Sequence, residues 1–138
     1  MRVAVSGYFD PLHVGHIEYF KLAKELAGQN GILIVILNND EQAYLKKAKS
    51  FMPLEQRRKI IEAIRYVDEV YVSIDTDESV KKSLQVLKPD IFAKGGDRFI
   101  NDIPEAAICK QFGIKMVDGL GKKIQASSDL VSNWETKK

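Results

Sequence analysis

Cysteine occurs once in the 138 residues, at Cys109, so no internal disulfide can form and no thiolate cluster can be built for zinc. Histidine occurs only twice, at His13 and His16. No long hydrophobic run is present. The longest, Ile32 to Leu37, has six residues, against the roughly 20 needed to cross a bilayer. The opening residues Met1 to Gly7 lack the extended apolar region of a signal peptide and read as a strand. With a single thiol, this predicts a reducing, cytoplasmic setting. Charge of one sign is also missing overall: 21 basic against 19 acidic side chains leave +2, too little to argue for nucleic acid. These absences exclude membrane proteins, secreted disulfide scaffolds and large multidomain enzymes.

What is present is an ordinary globular balance, 45% hydrophobic and 29% charged, which reads as a single domain over 1–138. Short apolar runs at Val3 to Val5, Ile32 to Leu37, Glu69 to Ser73, Ile91 to Ala93 and Ile114 to Val117 predict strands, the first two buried on both faces. Helical spacing lies between them. Ile17, Phe20, Ala23 and Ala27 share one face before Gly28, and Pro53 precedes a stripe of Ile60, Ile61, Ile64 and Val67. Val80, Leu84 and Leu87 mark a third helix stopped by Pro89, and Pro104 opens a fourth that reaches Phe112 and Gly113. Alternating strands and helices predict an α/β, Rossmann-like domain, a parallel sheet of about five strands with helices on both faces. Ligands of such sheets bind beyond the carboxyl ends of the strands, here at 7–16, 38–49, 94–98 and 118–128.

The neutral total conceals an uneven distribution. Lys46, Lys47, Lys49, Arg57, Arg58, Lys59 and Arg65 face only Glu55 and Glu62 over twenty residues, a local +5. Asp68 to Glu78 then holds five acidic residues and no basic one. Either stretch can be a solvated face, but a basic cluster following a strand end also suits a polyanionic ligand.

The segment Ser6-Gly7-Tyr8-Phe9-Asp10-Pro11-Leu12-His13-Val14-Gly15-His16 leaves the first strand and enters the first helix. Gly7 permits a sharp exit, and Gly15 removes a side chain where a ligand approaches the backbone. The helix start offers N–H groups and a positive dipole end to phosphate oxygens. Two histidines three residues apart can turn to the same anion. A metal would need a third ligand, and none is apparent nearby. Neither a Walker loop nor a dinucleotide Gly-x-Gly-x-x-Gly pattern is present.

Gly7 to His16 resembles the HxGH signature of the cytidylyltransferase-like nucleotidyltransferases. The chain is most similar to glycerol-3-phosphate cytidylyltransferases and to heptose-phosphate adenylyltransferase domains. Asn39-Asp40, Glu55-Gln56-Arg57, Ile64 to Val70 and Lys94-Gly95-Gly96-Asp97 follow in family order. The resemblance implies transfer of the NMP part of a nucleoside triphosphate to a small phosphomonoester, with release of pyrophosphate. CTP is the favoured donor. Lys94 to Asp97, like the heptose enzymes, makes ATP and a sugar phosphate the alternative, and a non-catalytic nucleotide sensor is an alternative of another class.

By the same resemblance His13, His16, Lys46, Lys122 and Ser127 are catalytic. Gly7, Tyr8, Phe9, Asp10, Gly15, Lys94, Gly95, Asp97, Ser127 and Ser128 bind the nucleotide. Asp40, Lys46, Arg57 and Arg65 bind substrate, Asp10 touches metal, Mg²⁺ is the cofactor, and the chain forms a homodimer. The last motif departs from the glycerol-3-phosphate enzymes: Lys122 replaces an arginine and Asp129 a threonine. A lysine cannot make the same bidentate contact.

The chemistry suits these residue types. A phosphomonoester is largely dianionic at pH 7 and needs no general base. Its difficulty is approaching another polyanion, so catalysis is mostly positioning and charge neutralisation.

Overall fold

The computed structural model describes residues 1–47, 52–95 and 104–120. Five parallel strands form the sheet: β1 (Arg2–Gly7), β2 (Ile32–Leu37), β3 (Glu69–Val72), β4 (Ile91–Gly95) and β5 (Lys115–Leu120), in the order β3-β2-β1-β4-β5. Five helices accompany them: α1 (Val14–Ala27), α2 (Asp40–Lys47), α3 (Leu54–Glu62), α4 (Lys81–Leu87) and α5 (Ala106–Phe112). The chain moves outward from β1 through β2 to β3, then returns by α4 to the other side of β1. The order therefore reverses between β1 and β4, and the crevice at their carboxyl ends is where this architecture holds ligands.

The central strands are apolar throughout because both faces are covered. On one face Val3, Val5, Leu33, Val35, Leu37 and Ala93 pack with Phe20, Ala23 and Ala27 of α1 and Ile61 of α3. On the other, Ala4, Ile36 and Phe92 meet Leu84 of α4 and Cys109 of α5. The doubly covered sheet expected from the alternation is present. Phe20 is wholly buried, and burial of such a side chain contributes about 2–3 kcal/mol.

Helix ends follow local chemistry. Gly28 ends α1, and Lys88 and Gly113, both left-handed, end α4 and α5. Two sequence expectations need correction. The second apolar stripe predicted a longer helix, but α3 stops at Glu62, and Ile64 and Val67 pack against the core from the turn that follows. The region after β2, for which no helix was predicted, holds α2. Asn39 and Gln42 cap it reciprocally: Gln42 N–H donates to Asn39 Oδ1 (2.8 Å) and Asn39 N–H to Gln42 Oε1 (3.0 Å). This is a capping box with Asn at its head, and Asn39-Asp40-Glu41-Gln42 was its signal in the sequence.

Candidate active site

The site is built where β1 and β2 end. Gly7 closes β1, and a Cβ there would lie 2.8 Å from Phe9 Cζ, so the position admits only glycine without displacing that ring. Phe9 has φ +51° and is 5% exposed. Its ring meets His16 perpendicularly, centroids 4.9 Å apart, and Phe20 at 5.1 Å.

His13 is the N-cap of α1, and its Nδ1 accepts the Gly15 N–H at 3.1 Å. His16 Nδ1 accepts the His13 N–H at 3.1 Å. The two rings stack 3.8 Å apart with 23° between their planes. Since each Nδ1 accepts a backbone proton, each neutral ring carries its own proton on Nε2. The Gly15 N–H, read from the sequence as a phosphate donor, is used inside the cap. The groups with which this turn can donate to an anion are therefore imidazole Nε2–H rather than that amide. Burial lowers the His13 pKa below the ordinary imidazole value, which keeps it a neutral donor near pH 7.

Behind the loop lies Arg57 of α3, 1% exposed. Its Nε donates to Met52 O (3.0 Å), Nη1 to Tyr8 O and Asn38 O (2.8 Å each), and Nη2 to Asp40 Oδ1 (2.7 Å). Expected to bind substrate phosphate, this guanidinium instead ties together the exits of β1 and β2 and the approach to α3. Asp40 receives that bond and the Leu54 N–H (3.3 Å). Tyr8 is half-buried, and burial reinforced by Glu78 pushes its phenol up to about 12, so the hydroxyl stays protonated. Across the crevice Lys94 Nζ lies 3.1 Å from Ser6 Oγ, and Gly95 ends β4. Ser6, buried at the last turn-out of β1, was not singled out from the sequence, because a lone serine in a strand carries no signal.

The structure thus gathers Gly7, Tyr8, Phe9, Asp10, His13, Gly15, His16, Asp40, Lys94 and Gly95 at the carboxyl edge, with Arg57 beneath. Lys46 falls in α2. Arg65 is not brought there. It is exposed in the turn that precedes β3, at the amino edge of the sheet, where the Asp68 N–H meets Leu33 O and the Arg65 guanidinium lies 5.3 Å from the Tyr66 ring centroid. Asp97, Lys122, Ser127, Ser128 and Asp129 lie outside the described residues.

A resident metal is not suited by what is described. Among the described residues no group of three or more His, Cys, Asp or Glu is assembled as for a metal ion. Asp10, the expected metal contact, is 2% exposed, with Oδ1 accepting the Met52 N–H at 2.5 Å. Also among the described residues, no helix is long and apolar enough to cross a membrane.

A parallel sheet with reversed order at β1, and an HxGH turn at the crevice, define a nucleotidyltransferase-type α/β domain. The chain belongs to the cytidylyltransferase-like family, which it matches over residues 4–128. It is 44% identical over 106 residues to the FAD synthase of Thermococcus kodakarensis, covering 73% of this chain and 66% of that protein, just under two thirds of its length. The FAD synthase of Picrophilus torridus is 31% identical over 134 residues, covering 94% of this chain and 93% of that one. Among solved structures, the lipopolysaccharide core biosynthesis protein of Thermoplasma volcanium superimposes with a TM-score of 0.72 at 27% identity, over 88% of this chain and 97% of that chain.

Proposed function

We propose that this chain transfers the NMP part of a nucleoside triphosphate to a phosphomonoester and releases pyrophosphate, with ATP as donor and FMN as acceptor. The observation that carries it is the pair of Nδ1-capped, stacked imidazoles at the switch point. The choice of ATP and FMN is supported by the relatives named FAD synthase, because FAD is the anhydride of FMN and AMP. It replaces CTP as the favoured donor and narrows the small phosphomonoester acceptor to FMN. FMN ends in a ribityl phosphate monoester, the acceptor class expected from the HxGH loop.

In this reading an acceptor phosphate oxygen attacks the α-phosphorus, the bond to the bridging oxygen breaks, and pyrophosphate leaves with that electron pair. No proton has to be removed from the dianionic acceptor. The Nε2–H groups of His13 and His16 donate to phosphoryl oxygens as charge accumulates. By the family resemblance Lys46 supplies a further cation for the acceptor, and Lys94, beside Ser6, serves the nucleotide. Mg²⁺ enters as part of the triphosphate substrate. Since Arg65 stands at the far edge of its own sheet, its expected contact with phosphate would have to come from a second copy, and a dimer completes the reading. A solution mass of the monomer alone would remove that part.

The decisive experiment crosses ATP, CTP, GTP and UTP with FMN, glycerol 3-phosphate and sugar phosphates, and measures pyrophosphate. ATP with FMN should give the largest rate, with FAD as the product. Faster turnover of CTP with glycerol 3-phosphate would overturn the choice of substrates. Triphosphate binding without turnover on any acceptor would overturn transfer itself and favour a nucleotide sensor.

A further inference from the structure

Phe9 has an unusual combination of properties. A bulky residue at φ +51° is a backbone outlier, and such strain persists only where its surroundings enforce it. Here they do. The ring is enclosed at 5% exposure, with Gly7 leaving space on one side, Phe20 touching it at 5.1 Å, and His16 standing perpendicular at 4.9 Å. An apolar ring held this way offers the nucleotide almost no surface.

We infer that Phe9 is a positioning residue that acts through His16, fixing the plane and tautomer of that imidazole. Three of the contacts that hold the His16 ring are the His13 N–H on Nδ1, the stacked His13 ring, and the perpendicular Phe9 ring. The first two both come from His13, in the same turn as His16. Phe9 connects His16 to the sheet, because its seat is the end of β1. Without that ring, the imidazole can rotate about its side-chain bonds and exchange Nδ1 for Nε2 at the His13 amide. A perpendicular aromatic pair also has a preferred geometry, which an aliphatic side chain does not reproduce. The left-handed turn at Phe9 thus has a use: it folds the ring back under Gly7 and against the first turn of α1.

The consequence for turnover rests on the proposed nucleotidyl transfer, so the test has a readout that does not need it. Long-range ¹H–¹⁵N spectra of the histidine rings report which nitrogen carries the proton. Wild-type His16 should show the proton on Nε2 alone. Phe9→Leu keeps a similar apolar volume and should give mixed tautomers at His16. With a substrate pair that turns over, it should lower kcat about tenfold with KM for the triphosphate little changed.

Leu33→Val, near the amino end of β2, is the structural control. It weakens the same cluster without a described contact to Phe9 or His16, and should reduce stability while leaving the His16 spectrum unchanged. Gly7→Ala pushes the Phe9 ring from the other side and should also disturb His16, giving a second variant should Phe9→Leu fail to fold. A wild-type His16 spectrum in both Phe9→Leu and Gly7→Ala overturns the inference. So does an equal shift in Leu33→Val. A shift confined to Phe9→Leu and Gly7→Ala, in a protein that turns over no substrate pair, would sustain the positioning role and sink the transfer reading.

Discussion

Arg57 and Asp40 form an unequal pair: the guanidinium side chain is wholly enclosed, while the carboxylate side chain remains 53% exposed. Their contact is 2.7 Å, yet most of what Arg57 satisfies is backbone, the carbonyls of Tyr8, Asn38 and Met52. The arginine is thus held by the loop ends it joins, and Asp40 is the outermost of its four partners.

Arg57→Lys should therefore be costly. A lysine cannot donate in four fixed directions, and it leaves buried carbonyls unpaired, so the loss should be about 3 kcal/mol. Asp40→Asn keeps an oxygen for Nη2 and remains half in water, and should cost about 1 kcal/mol or less. Urea unfolding of the two variants measures both. Equal losses would mean that the ion pair, rather than the carbonyl clamp, holds the arginine.

Stability should depend on pH through His13. Its folded pKa lies below the ordinary 6.5 because of burial, so below 6.5 the unfolded chain takes up the proton first. The stability associated with the neutral ring is fully present above pH 6.5 and is lost as pH falls through the lower folded value. Protonation also removes the Nδ1 lone pair that caps Gly15. His13→Asn retains a good N-cap residue and removes the titration, so its stability curve should be flatter across this window. An unchanged slope would assign the acid response to other groups.

Cys109 should be inert in the native protein. It is 1% exposed, and burial, reinforced by Glu105, pushes its thiol up to about 11. A thiol reagent near pH 8 should label it on the timescale of unfolding, and rapidly in denaturant. Fast native labelling would show that the α4–α5 face opens. Cys109→Ser should cost about 1–3 kcal/mol, because a hydroxyl there enters an apolar cluster.

Much of the architecture was legible in the chain because it depends on short-range patterns. The run Ile32 to Leu37 predicted a fully buried strand and is one, and Gly28, Pro89 and Gly113 marked helix ends correctly. The HxGH turn was equally readable, since a cap at His13 and a partner at His16 lie within one helical turn. What was missed divides into two kinds. The α2 helix had a local signal, the Asn39–Gln42 capping box, but its helix is short and lacks a long apolar stripe. Phe9, Arg57 and Arg65 had no local signal for their places.

The sequence by itself determined the alternation of strands and helices, the loop that leaves the first strand and the placing of both histidines in one helical turn, because each follows from spacing, caps and apolar runs within a few residues. Only the tertiary structure decided that Arg57 is a buried clamp, that the Phe9 ring is enclosed against His16 and Phe20, and that Arg65 stands at the opposite edge. Those outcomes depend on which strand ends become neighbours. An arginine or phenylalanine has the same side chain inside or outside, and only packing fixes which of its groups are enclosed.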